Sequence, residues 1–150
     1  AALSWNFVLA TAICASLLAQ LIKVLLNLFI FHRFIAERMW GAGGMPSSHS
    51  ATVCAMVVAT GRYCGVNSPL FAIAAVLSII VMYDAMGVRY ETGEQAKVLN
   101  RMFTEWMDQG FEQFQLPHGK KLKEMVGHTP IEVVTGAALG IVLGFAMPMV

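Results

Sequence analysis

The sequence predicts an all-α integral membrane protein, with four transmembrane helices plus an amphipathic interfacial helix. Three observations carry that prediction. Hydrophobic residues make up 57% of the 150 and charged residues 13%, and mean hydropathy is +0.66, an oilier balance than a soluble domain of this length carries. The apolar residues are gathered into runs about as long as a bilayer is thick. The polar residues that interrupt them fall near the ends of the runs, where counting spans gathers most of them on one side. A chain of this length reads as a single domain over residues 1–150, without an internal repeat. Its net charge of +1 gives no general attraction for nucleic acid, which is not an expected partner. Cys14, Cys54 and Cys64 lack metal-ligand spacing and read as small packing residues.

Residues 5–31 form the first span, longer than the roughly 20 residues a helix needs to cross. No basic leader or cleavage site marks this segment as a signal sequence, so it reads as retained. Gln20, Lys23 and Asn27 recur at helical spacing and share a face. A lysine within a span faces protein, water or an anion, or else snorkels to the interface. Residues 32–44, with Arg33, Glu37, Arg38 and Trp40, suit an interfacial turn. The second span runs from Ser47 to about Tyr63, and Arg62 can snorkel from its far end. The third covers Leu70 to about Val88, apolar until Asp84 and Arg89. Over residues 90–114 the pattern changes. Leu99, Met102, Phe103, Trp106 and Met107 repeat at helical spacing while charged residues take the other faces. This is a helix lying on the membrane or one packed over the bundle. A basic loop follows at 117–123, and residues 129–150 form the fourth span, rich in small residues that permit close helix contact.

Chemistry concentrates at two stretches. Gly41 to Ser50 reads as a glycine-rich turn running into a helix start, with Pro46 in its first turn and Ser47 and Ser48 near its free amides. Unpaired N–H groups and the positive dipole end favour an anion there, and His49 stands one turn in as a proton donor. The alternative is a capped helix start whose histidine faces lipid headgroups. The second stretch is residues 127–136, where His128 and Glu132 are four apart. If the helix has begun, they share a face. The carboxylate then holds one ring nitrogen, making the imidazole more basic and fixing its tautomer for nucleophilic attack. The alternative is a headgroup-facing histidine beside a capping carboxylate. Span parity puts Lys23, Arg33, Ser47, Ser48, His49, Asp84, Arg89, His128 and Glu132 on one side of the membrane. The opposite side has only Arg62 among strong cations, so the polar side is expected to face the cytoplasm.

These stretches resemble the type 2 phosphatidic acid phosphatase family, related to vanadium haloperoxidases, and in particular its short divergent bacterial branch. Pro46-Ser47-Ser48-His49 matches a proline-serine-glycine-histidine motif with serine for glycine. His128, Pro130, Glu132 and Gly136 match its later motif with glutamate for aspartate. The branch is also similar at residues 43–50, 81–89 and 95–100, and the likeness spans roughly 20–145. The resemblance implies a phosphatidic acid phosphatase type 2-like bundle in which His128 attacks phosphorus, Glu132 orients it, and His49 protonates the leaving oxygen. It makes Ser47, Ser48, Lys23 and Arg33 phosphate ligands. Arg33 lacks the proline that should follow, and the serine-arginine pair expected before His128 is replaced by Lys120, Lys121, Lys123 and Glu124. Arg89 is the substitute candidate and Asp84 a supporting one.

The expected function is metal-independent hydrolysis of a lipid phosphomonoester or diphosphate through a phosphohistidine, with no cofactor. The expected location is a bacterial inner membrane, and the small-residue face of the fourth span suggests a homo-oligomer. A noncatalytic lipid-phosphate-binding membrane protein is the alternative, and a vanadate-dependent peroxidase a weaker third.

Overall fold

The computed structural model describes residues 6–31, 44–110, 121–124 and 126–149. All its regular elements are helices: α1 (Phe7–Phe31), α2 (Ser48–Cys64), α3 (Pro69–Met86), α4 (Val88–Asp108) and α5 (Pro130–Ala146). Arg33 and the expected interfacial turn lie outside the described residues, as do most of the basic loop and residues 111–114.

Helix α2 is the centre of the bundle and packs against α1, α3 and α5. Its buried face is made of small side chains, among them Ser48, Ser50, Ala51, Ala55 and Ala59. Ala51 and Ala55 meet Ala15 and Ala19 of α1 in the core, with Leu139 and Leu143 of α5 packed alongside. Glycines bring α5 against α2. A Cβ at Gly136 would run into the Ser47 carbonyl oxygen, one at Gly140 into that of Ala51, and one at Gly144 would stand 2.6 Å from the Val58 Cβ. Gly136, Gly140 and Gly144 are thus occupied against α2 within the chain, while Ala138 is exposed.

Large apolar side chains point outward. Leu17 (65% exposed), Phe29 (78%), Ile73 (64%), Ile79 (63%) and Val142 (63%) are bare, while Thr11, Lys23, Ser47, Ser50 and His128 are buried. Water does not favour this distribution, whereas a hydrocarbon solvent does: small residues let helices approach, and polar groups turn inward to find partners. Among the described residues, two stretches suffice by length and composition to cross a bilayer, Phe7–Ile30 and the apolar part of Pro69–Asp108; Pro130–Ala146 is apolar but shorter.

Three boundaries differ from the sequence expectation. Pro46 precedes the helix rather than opening it, because Ser47 is the N-cap of α2. The third apolar segment breaks at Gly87, so Arg89 lies in the first turn of α4. The last helix stops at Ala146: Met147 adopts φ −65° and ψ 127°, the extended geometry imposed on a residue before proline. Arg62 also turns inward rather than toward a headgroup. Its Nη1 donates to the Gly144 and Met147 carbonyls, 2.7 Å each, placing a cation on the negative end of α5. Along α4, Val98, Leu99, Met102 and Met107 are exposed, so this face is not packed over the bundle.

Candidate active site

His49 occupies the first turn of α2, beside a cap that the serines complete. Ser47 Oγ accepts hydrogen bonds from the Ser50 amide (3.3 Å) and the Ser50 hydroxyl (3.1 Å). Ser48 Oγ accepts from Gln20 Nε2 at 3.4 Å. Both hydroxyls therefore hold the helix start in place.

The second histidine arrives from a different direction. Thr129 is the N-cap of α5 and Glu132 its N3 residue, and the two form a capping box. His128 sits before that cap, so it does not share a helical face with Glu132. The carboxylate reaches it by folding back: Glu132 Oε2 accepts from the Thr129 amide at 3.1 Å and lies 3.0 Å from His128 Nδ1. This pairing makes Nδ1 the protonated nitrogen and Nε2 the lone-pair nitrogen. Nε2 is buried and has no hydrogen-bond partner among the described residues.

Backbone contacts fix the approach to this pair. Gly127 has φ +87°, a conformation rare for L side chains, and a Cβ there would collide with the backbone of Arg89 and Tyr90. The His128 amide donates to the Ala85 carbonyl (2.9 Å), and the Ser47 amide to the Glu132 carbonyl (3.0 Å). The latter bond ties the two motifs together.

The rings of His49 and His128 have centroids 5.8 Å apart. With Asp84, Arg89, Ile80, Val81 and Ala85 they line one cavity of about 200 Å³. Arg89 Nε donates to Asp84 Oδ2 at 2.8 Å, which leaves its two terminal nitrogens for another acceptor. Lys23, Ser47 and Ser48 do not line this cavity. Lys23 is 2% exposed and its Nζ has no hydrogen-bond partner among the described residues.

Burial pushes His128 below the ordinary histidine value, with Lys23 and Arg89 adding to the effect, while Glu132 pulls upward. The net result reverses the expectation of a more basic ring. Desolvation of the imidazolium outweighs one carboxylate, and the neutral form is the one that carries a nucleophilic lone pair.

A family model described as the divergent PAP2 family matches residues 4–143, a range holding all five helices almost entire. The chain belongs to the divergent PAP2 family. It is 39% identical over 144 residues to the uncharacterized membrane protein YuiD of Bacillus subtilis (strain 168), covering 92% of this chain and 91% of that protein. No solved structure matches the chain. Within the divergent PAP2 match lie both histidines, Glu132, Asp84 and Arg89. Sequence reasoning missed the contribution of Ala85, whose carbonyl anchors His128. A backbone acceptor leaves no mark on residue type. It also missed Gln20 as the partner of Ser48, although Gln20 shares a helical face with Lys23.

Proposed function

We propose that this chain is an integral membrane phosphatase of four spans that hydrolyses a lipid phosphomonoester or diphosphate through a phosphohistidine. Its site opens on the cytoplasmic side of a bacterial inner membrane. The observation that carries this reading is the pair of imidazoles 5.8 Å apart on one cavity, one of them held by a carboxylate through Nδ1. The lone pair of His128 Nε2 attacks phosphorus, and the bond to the leaving oxygen breaks as His49 delivers a proton to it. His49, now neutral, takes a proton from water. The hydroxide equivalent attacks the phosphohistidine, releasing phosphate and restoring both rings. Arg89 stabilises the charge on the nonbridging oxygens, and Lys23 adds to the field. No step calls for a metal or organic cofactor. The apolar wall of Ile80 and Val81 suits a substrate whose phosphate is joined to a hydrocarbon chain.

The test is phosphate release by purified protein from phosphatidic acid, phosphatidylglycerol phosphate and polyprenyl diphosphates in the presence of a chelator. Turnover by the native chain and its loss in His128→Ala supports the reading. Unchanged turnover in that variant removes the nucleophile.

A second reading, a noncatalytic lipid-phosphate binder, is favoured by one observation. Lys23, Ser47 and Ser48 stand outside the cavity lining, leaving Arg89, already paired with Asp84, as its cation. Vanadate or phosphate binding with no turnover across the lipid panel selects that reading.

A further inference from the structure

His128 is not carried by a helix. Of the chain that leads to it, the described residues 121–124 and 126–127 have no regular structure and lie along α4. The side chain that grips the far end is Asn100, 5% exposed on α4. Its Nδ2 donates to the Leu122 carbonyl (2.9 Å) and to Glu124 Oε1 (2.8 Å), and its Oδ1 accepts from the Leu122 amide (2.9 Å). One amide thus pairs both backbone groups of Leu122, as a neighbouring strand would.

Seven residues earlier on α4 is Gly93. A Cβ there would stand 2.5 Å from the Glu124 carbonyl oxygen and 2.9 Å from that of Val126, so the chain passes directly over the helix backbone. Asn100 and Gly93 are two turns apart, about 10 Å along the axis. The described residues 121–124 and 126–127 thus lie as a strap along this helix. The strap then meets the backbone of Arg89 and Tyr90 at Gly127 and reaches the Ala85 carbonyl at His128. Every contact falls on one face of α4 or at the end of α3.

We propose that Asn100 is a positioning residue for His128: by clamping Leu122 and Glu124 against α4, it sets the register of the strap and hence where the imidazole enters the cavity. As a role in catalysis this rests on the proposed phosphatase reading; as a statement about where His128 sits it does not. The polar amide fits the task because it carries both a donor for the Leu122 carbonyl and an acceptor for the Leu122 amide. A strap displaced by about 1 Å at its end misplaces the nucleophile enough to lower turnover on the order of a hundredfold.

The experiment compares native protein with Asn100→Ala by two readouts. The first is the rate at which diethyl pyrocarbonate modifies His128, mapped by mass spectrometry with the exposed His49 as internal reference. The second is kcat and KM for phosphate release. Asn100→Ala is expected to raise the His128 modification rate about tenfold relative to His49, and to lower kcat about 10- to 100-fold with KM little changed. A purely structural bond would lower thermal stability without moving that ratio. An unchanged ratio in folded Asn100→Ala overturns the proposal. If Asn100→Ala does not fold, Glu124→Ala, which removes one of the three bonds, decides by the same ratio: a rise supports the clamp and no change overturns it. If native protein releases no phosphate, the modification ratio still decides the clamp, and the phosphatase reading fails separately.

Discussion

Glu132 serves two donors with one oxygen, closing the cap of α5 and orienting His128. The length of the glutamate lets Oε2 reach the Thr129 amide at 3.1 Å while lying 3.0 Å from His128 Nδ1. Glu132→Gln keeps the length while removing the charge and offering a donor toward Nδ1. We expect helix content to persist and phosphate release to fall by about 10² to 10⁴, the scale on which a wrong tautomer acts; kinetics beside circular dichroism check it. The titration of His128 follows from its burial. Folding lowers its proton affinity, so the unfolded chain takes up the proton first on acidification. The stability tied to the neutral ring is complete above the unfolded value near 6.5 and is lost as pH falls toward the folded one. The imidazole resonance should have its midpoint below 6.5 and move lower in Glu132→Gln, since the carboxylate is the upward influence. A midpoint above 6.5 would show the carboxylate winning instead. The pairing of His128 with Glu132 was legible in their spacing. Its geometry was not, because a residue before the N-cap and one on the helix are also four apart.

At the scale of elements, α5 and α2 lie backbone to backbone over Gly136, Gly140 and Gly144. Gly140→Ala would press a methyl on the Ala51 carbonyl, and overpacking of this kind costs about 1 to 3 kcal/mol. A lower thermal midpoint in detergent is the expected result, with no change if the helices can slide apart. Thr129→Ala removes the hydroxyl that accepts from the Glu132 amide at 3.4 Å. Loss of such a cap costs about 0.5 to 2 kcal/mol, measured by the same midpoint. The small residues of the last helix were visible as a contact face, but not their partner, since α2 offers alanines and carbonyl oxygens that no pattern distinguishes. The break at Gly87 was legible to within a few residues, though not that Arg89 falls beyond it in the first turn of α4. The apolar run gives way to polar sequence there, and a single glycine divides one long helix pattern into α3 and α4.

Across the whole molecule, bare leucines and phenylalanine outside and buried alanine, serine and lysine within are the arrangement that a bilayer stabilises. The class of fold was legible because composition alone fixes the solvent. What composition does not fix is the inward depth of each polar group: Lys23 is buried without lining the cavity, while Arg89 lines it from a new helix. The central claim is that His128 and His49 act on one phosphoryl group. The most direct measurement is alkaline quenching of a single turnover on lipid labelled with ³²P, which preserves an acid-labile P–N bond, followed by mapping of the labelled residue. The expected result is phosphohistidine at His128, with label accumulating when His49→Ala slows its hydrolysis more than its formation, as a substrate with a good leaving group allows. Phosphate released with the label on another residue, or at an undiminished rate from protein lacking His128, would contradict it.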